Sequence, residues 1–371
     1  MKNNRTFLEK LLDGAEVEWK PLNKIVTTIT APVKLKREMY CSTGSTPIID
    51  QGEKFIAGYT NENFEAIPSN EYIIFGDHSE YIKYVNFSFI QGADGLKILK
   101  PKEDNAKYIY YAFQNFYVKE LNYKRHWSSA KETLIPLPPP TVQTEIVRIL
   151  DALTALTSEL TSELTLRRKQ YEYYREKLLS HDSSEYSTQK SDKVKFVHTS
   201  NIQWLHLNEI YKFQYGIGNK IPTIGGEYPV YGSNGIVGTH NEYNSENAPV
   251  IGHIGAYAGI VNWAEGKHFV TYNGIICNKI NDNVNSRYAY YLLLSQNFID
   301  KANKASQPFI SYDILNKCIV PVPPIEEQQR IVSILDKFEA LTNSITEGLP
   351  LAIEQSQKRY EYYRELLLDF S

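Results

Sequence analysis

The 371-residue sequence is poor in sulfur, with three cysteines, Cys41, Cys277 and Cys318, and two methionines. An odd set of widely separated cysteines supports no disulfide framework, and without a Cys-x-x-Cys pair there is no thiolate metal site. The eight histidines show neither a His-Glu-x-x-His nor any other ligand spacing, so no metal is expected. No run of about 18 apolar residues could span a bilayer. The first twenty residues, MKNNRTFLEKLLDGAEVEWK, place acids where an export signal needs an apolar stretch, so a cytoplasmic location with no membrane partner is expected.

Catalytic signatures are missing as well. There is no G-x-x-x-x-G-K-[ST] loop, which excludes a P-loop NTPase and a helicase motor. Tyr215-Gly216-Ile217-Gly218 lacks the third glycine of a dinucleotide fingerprint and is expected to be a turn. The proline clusters follow Leu137 and Val322, so the Asn-Pro-Pro-aromatic tetrapeptide of amino-methyltransferases does not occur. Glu18-Trp19-Lys20 with Asp13 loosely matches a nuclease carboxylate-x-lysine triplet, but the matching segment at Trp204 does not repeat it. Net charge is also nearly absent, at −3.

What is present in excess is tyrosine, with 28 residues, in a chain that is 42 % apolar and long enough for two or three domains. The dominant feature is an internal repeat, which fixes architecture before any local reading does. PLPPPTVQTEIVRILDALTALT, from Pro136, returns as PVPPIEEQQRIVSILDKFEALT from Pro321, an offset of 185 residues. The same offset pairs Trp19, Leu22, Asn23 and Ile25 with Trp204, Leu207, Asn208 and Ile210. YEYYRE at Tyr171–Glu176 returns unchanged at Tyr360–Glu365 with an offset of 189, so the later copy holds four extra residues, about one helical turn.

Both matched segments read as helices. Ile146, Ile149, Leu153, Leu156, Leu160, Leu164, Tyr171, Tyr174 and Leu178 follow steps of three and four, and Ile331, Ile334, Phe338, Leu341, Ile345, Ala352, Tyr360, Tyr363 and Leu367 do the same. Such helices are too long to pack inside one small domain and should pair with each other. The prolines ahead of them act as stops. A perfect tandem, Thr157 to Leu160 followed by Thr161 to Leu164, has a period of four and breaks the seven-residue seam.

The segments 1–135 and 194–318 have a different texture: short β-branched and aromatic runs such as EYIIF and APVIGHIGAYAGIVNW, punctuated by Gly, Asn and Pro. They read as two mixed α/β domains with twisted sheets, which makes the chain α+β overall. The helical segments are 136–180 and 319–371, and the polar stretch 181–193 is a linker. The slight positive charge sits on the globular segments, at +1 over 1–135 and +2 over 193–318, whereas the helical segments are negative. Lys34-Leu35-Lys36-Arg37 and Lys124-Arg125-His126, with Lys220, Lys301 and Lys304, are the candidate cations for counterion release from a duplex.

The order of variable domain, proline stop and long helix, repeated after a linker, resembles the specificity subunit of type I restriction-modification systems. The resemblance covers essentially the whole chain. It is carried by the IPLPPPTVQTEIVRILDAL and IVPVPPIEEQQRIVSILDKF signatures, both YEYYRE segments, YPVYGSNGIVG at Tyr228–Gly238, and the TSEL tandem, similar to the tetrapeptide spacer repeats of one branch. It implies a non-catalytic, DNA-binding subunit whose two target-recognition domains lie in a pseudo-two-fold arrangement, each reading half of a bipartite asymmetric site in double-stranded DNA. Two long antiparallel coiled-coil helices would set the spacer. They would also dock two adenine methyltransferase subunits, which hold the S-adenosylmethionine, with restriction and motor subunits joining afterwards; this chain would bind no cofactor itself.

Base-edge readers would then be polar loop residues. In the first domain these are Lys36, Arg37, Thr43, Ser45, His78, Lys124, Arg125, Ser128 and Ser129; in the second, Lys220, Ser233, Asn234, His253, Tyr257, Asn273, Ser306 and Gln307. Arg125 leads, because it lies just before a helix in the region matching Ser306 and Gln307. The competing reading is a non-catalytic protein-interaction scaffold that touches no DNA, whose function would be insensitive to salt.

Overall fold

Residues 7–180, 201–218, 225–303, 306–344 and 346–370 are described by a computed structural model; the expected linker lies outside them. They form two compact units that do not follow chain order. The first comprises residues 1–161 and 352–371, the second 162–351.

In the first unit, the run EYIIF becomes Tyr72–Gly76, a strand buried on both faces. It is covered because both faces are apolar: Ile73, Phe75 and Leu99 pack on the helix Ala106–Phe116, while Tyr72, Ile74 and Ile98 pack with Ile49, Val85 and Phe89. The sheet order is Val26–Ile29, Leu96–Pro101, Tyr72–Gly76, Ile82–Val85, all antiparallel. Beside it lies a three-stranded sheet, Gly58–Thr60, Thr46–Ile49, Ile90–Gln91, whose last pair is parallel.

The second unit repeats this topology with different residues. Tyr211–Tyr215, Gly274–Lys279, Ser245–Gly252 and Val261–Val270 follow in the same order and sense. Val261–Val270 is long enough to continue into a parallel pairing with Tyr228–Gly232, which pairs in turn with Gly235–His240. One strand thus replaces two of the first unit, and the sheets merge into six strands.

The matched sequence blocks form matched scaffolding. Asn105 and Asn285 cap the helices Ala106–Phe116 and Ser286–Ser295 with their side-chain oxygens. The backbone N–H groups of these two caps donate to the buried Gln143 and Gln328, at 3.0 and 2.8 Å. Each glutamine in turn donates to a proline carbonyl, Pro138 or Pro323. Tyr108 and Tyr288 donate to Pro136 and Pro321 carbonyls, at 2.7 and 3.0 Å. The proline segments do more than stop a helix. Leu134–Leu137 and Ile319–Val322 are strands, each in a two-stranded ribbon with Glu18–Pro21 or Gln203–His206, and Pro136 and Pro321 lie opposite Trp19 and Trp204. A two-stranded ribbon has only edges, where proline is tolerated.

The long helix Pro140–Ser180 has 41 residues, and its last turns belong to the second unit. There Tyr171, Leu178 and Leu179 are buried with Leu207, Ile210 and Ile331. Leu367 and Leu368, from the end of the chain, are buried in the first unit with Leu22, Ile146 and Leu150. Within each unit the paired helix segments run antiparallel: Thr157 meets Ser356 at 2.8 Å in the first, and Tyr171 and Tyr174 meet the Phe338 ring in the second.

The second helical segment departs from the continuous helix expected over 319–371. It comprises Ile325–Asn343 and Gly348–Leu368, separated by a break in which the Ser344 hydroxyl accepts from Thr346 and Glu347 backbone N–H groups. Gly348 sits at φ +77°, and a Cβ there would lie 2.6 Å from the Ala340 carbonyl oxygen, so only glycine fits. The four extra residues are therefore an interruption and not an added turn. Ile345, placed on the seam by periodicity, lies outside the described residues.

Candidate nucleic-acid interface

In both units the expected contact residues gather where the central strand ends in glycine. Gly76-Asp77-His78 and Gly252-His253 leave the sheet at equivalent places, between equivalent strands. Loops converge on them by equivalent backbone bonds. Asp77 N–H donates to Gly95 O and His253 N–H to Asn273 O; His126 N–H donates to Asp77 O and Ile310 N–H to His253 O, all at 2.6–2.9 Å.

In the first unit Gln51 is the hub. Its amide donates to Asp94 O at 3.2 Å and accepts from His78 N–H at 3.1 Å, and its carbonyl accepts from the Ser79 hydroxyl. Asp94 takes Lys34 Nζ at 2.9 Å, which holds the carboxyl below the usual carboxylate range. The His78 ring stacks on Tyr123, and its Nδ1 lies 3.1 Å from the Lys124 carbonyl oxygen. Lys124 pairs with Glu120, which also accepts from the Ser129 hydroxyl at 3.1 Å. Lys36 and Arg37 are exposed on the short turn Arg37–Met39, which is tied to the same face because the Tyr40 hydroxyl accepts from Ala93 N–H.

The structure thus brings His78, Lys124, Arg125 and Ser129 to one face, with Lys36 and Arg37 tied to it through Tyr40, and with Asp94 and Glu120 paired to Lys34 and Lys124 among them. Ser128 is exposed beside them on the turn Trp127–Ala130. Thr43 and Ser45 stand apart from this hub, at the hairpin of Thr46–Ile49 and Gly58–Thr60; Ser45 is committed to Thr60 O and Asn61.

In the second unit the corresponding face is aromatic. His253 is only 6 % exposed, and its Nδ1 is 3.1 Å from the Tyr272 carbonyl oxygen, so it supports this face from beneath. Tyr215 lies against its ring and stacks on Tyr312 with centroids 4.2 Å apart. Tyr257 and Tyr272 are exposed around it. Asn273 holds the His253 backbone, and Gln307 precedes Pro308, whose carbonyl accepts from Gly255 N–H at 2.9 Å. Ser306 is exposed in the same segment. Ser233 and Asn234 form the two-residue turn before Gly235, at φ +78°, and a Cβ on Gly252 would meet the Ser233 carbonyl oxygen at 2.5 Å. Lys220, like Lys304, lies outside the described residues; Gly218, two positions earlier, accepts from Tyr272 N–H.

Sequence reasoning missed Gln51, Asp77 and Asp94 in the first unit and Tyr215, Tyr272 and Tyr312 in the second. One signal could have found the sites: EYIIFGDH and APVIGHIG each run from apolar residues into Gly and then His within two positions. Among the described residues no cluster of His, Cys, Asp and Glu could hold a metal, and no helix is long and apolar enough to cross a membrane.

Comparison with known proteins gives a consistent picture. Residues 16–167 and 209–355 match the type I restriction modification DNA specificity domain. The chain is 38 % identical over 404 aligned positions to a putative type I restriction enzyme specificity subunit of Haemophilus influenzae, covering all of both chains. It is 35 % identical over 401 positions to the EcoR124I/EcoR124II specificity subunit of Escherichia coli, covering 98 % of this chain and 97 % of that one. Its fold resembles the crystal structure of the type I restriction-modification S subunit from M. genitalium, with a TM-score of 0.65 at 19 % identity over 100 % of this chain and 98 % of that chain.

Proposed function

Because the chain belongs to the type I restriction-modification specificity family, a non-catalytic subunit type, we propose that each of its two units reads one half of an interrupted, asymmetric DNA sequence. The observation that carries this reading is the pair of equivalent sheet ends: the scaffold is the same and the presented side chains differ, so the half-sites differ. In the first unit Arg125, Lys124, Lys36 and Arg37 supply the cations, suited to guanine edges and phosphates. In the second, Asn234, Asn273, Gln307 and the exposed Tyr257 and Tyr272 supply amide and aromatic contacts, with amides suited to adenine.

The helices set the gap between half-sites. The TSEL tandem lies where Pro140–Ser180 passes from the first unit into the second, at residues 161 and 162. One further unit adds about 6 Å of helix, against about 3.4 Å and roughly a tenth of a turn per base pair, and lengthens the preferred spacer by about one base pair.

Two adenine methyltransferase subunits dock on this chain and carry the S-adenosylmethionine, and restriction and motor subunits complete the cytoplasmic assembly. The twofold stoichiometry is supported by apolar groups that are exposed once per unit, Trp19 and Trp204, Leu134 and Ile319, Tyr362 and Tyr173. The test is co-expression with the neighbouring methyltransferase and single-molecule mapping of methylated adenines. One interrupted asymmetric motif is expected; a complex that methylates no motif would overturn the reading.

A further inference from the structure

We propose that Glu80 is the positioning residue of the first unit's recognition loop, a buried carboxylate that never reaches DNA but fixes where Lys124 and Arg125 point. This rests on the DNA-reading role of that loop. The loop, residues 117–126, leaves the helix Ala106–Phe116 and returns to the turn Trp127–Ala130 with no strand partner. Glu80 is 2 % exposed and sits at φ +56° in the turn after the central strand. Its carboxylate accepts from the Tyr117 hydroxyl at 2.6 Å, Glu120 N–H at 2.8 Å and Leu121 N–H at 2.9 Å.

The far end of the loop returns to the same turn. His126 N–H donates to Asp77 O, and Trp127 N–H donates to Asp77 Oδ1, both at 2.8 Å. The His126 ring is fully buried, with Nε2 2.8 Å from Asn122 O and Nδ1 3.6 Å from Glu80. Two carboxylates three residues apart thus grip both ends of a ten-residue loop. Between the buried ends Tyr117 and His126, residues 118–125 all face outward, with Tyr123 92 % exposed and Lys124 and Arg125 beside it.

A carboxylate buried this deeply is tolerable only when its oxygens are filled, and three loop donors fill them. Burial pushes its pKa up, yet these hydrogen bonds and the neighbouring His126 outweigh that and hold it below the usual glutamate value, so it is ionised when the protein works. Replacing the carboxylate by an amide leaves one oxygen for three donors and sets an NH2 against the remaining one, which loosens the loop without removing the core beneath.

The test uses the full chain assembled with its methyltransferase subunits, with E80Q, R125A and the double variant. The readout is discrimination against single-base changes in each half-site. E80Q is expected to lower discrimination at the first half-site by about tenfold, the size of one lost base contact, with the second half-site unchanged. The double variant should be no worse than R125A alone. Hydrogen exchange should rise at Glu120 and Leu121 and stay slow in Tyr72–Gly76, which separates loop release from unfolding. Full first-half-site discrimination in E80Q, where R125A loses it, would overturn the clamp. No loss in R125A would instead remove the loop from DNA reading, and the clamp with it.

Discussion

The two units hold equivalent loops by different means. In the first, the segment between helix and turn is gripped by side chains, Glu80 and Asp77. In the second, the equivalent segment is pinned by backbone: Phe309 bridges both Ile254 and Asn303, and Gly255 and Ile310 donate to Pro308 and His253 carbonyls. Beneath the loops the units agree almost bond for bond, through Gln143 and Gln328, Tyr108 and Tyr288, and Tyr111 and Tyr291 on Asp151 and Asp336. The lesson is a division of labour. The scaffold is repeated because its hydrogen bonds must close, while the loops diverge because several anchors serve equally well.

The comparison can be broken first at the core. Ile146→Ala and Ile331→Ala remove fully buried side chains at equivalent positions, and each should cost about 2–5 kcal/mol. Chemical denaturation with hydrogen exchange should place each loss in its own unit; loss in the opposite unit would break the equivalence. Next come the glycines that end the central strands. A Cβ on Gly252 would strike the backbone carbonyl oxygens of Tyr257 and Ser233, whereas on Gly76 it meets first a side-chain atom, the Ser79 hydroxyl. Gly252→Ala should therefore cost about 3 kcal/mol and Gly76→Ala about 1, within the usual span for overpacking, as measured by thermal unfolding.

Smaller and matched effects are expected from Tyr108→Phe and Tyr288→Phe. Each leaves a buried proline carbonyl without its donor, at about 1–2 kcal/mol. A clear inequality in denaturation midpoints would show that the two ribbons are not equally buried. The smallest effect should be acidic. His268 is buried with Nε2 unpartnered; burial lowers its pKa, more than its bond to the Gly266 carbonyl raises it. A lowered pKa means that its contribution is complete above 6.5 and falls as pH drops below that value. The Glu80 contribution, also from a lowered pKa, is complete above 4.5 and is lost only below it. Between these pH values, faster hydrogen exchange is expected in Val261–Val270 and not in residues 117–121.

The repeated parts of this architecture were legible because repetition and helical periodicity survive in one dimension. Trp19 and Trp204, the proline segments and both YEYYRE blocks all pointed to elements that exist. The shared strand order of the globular parts was not legible, because EYIIFGDH and APVIGHIG have in common only an apolar run followed by a glycine and a nearby histidine. Nor was the break before Gly348, where four extra residues have the length of a turn but one helix stops at Asn343 and Gly348, with its left-handed backbone, and Pro350 begin the next. Of the candidate contacts, exposed loop cations such as Arg125 could be named from chemistry alone. Their anchors could not, since Glu80 and Gln51 act across 27 to 43 residues of chain. His253 looked like a reader because a histidine's burial is set by distant tyrosines.

Leu367 and Leu368 complete the core built around Leu22 and Ile146. The first unit therefore cannot close its core until residues 352–371 join residues 1–161, whereas the second unit, 162–351, is one unbroken stretch of chain. A chain lacking residues 352–371 would carry an open greasy slot in its first unit, so the unit begun earlier in the sequence is the later of the two to be completed.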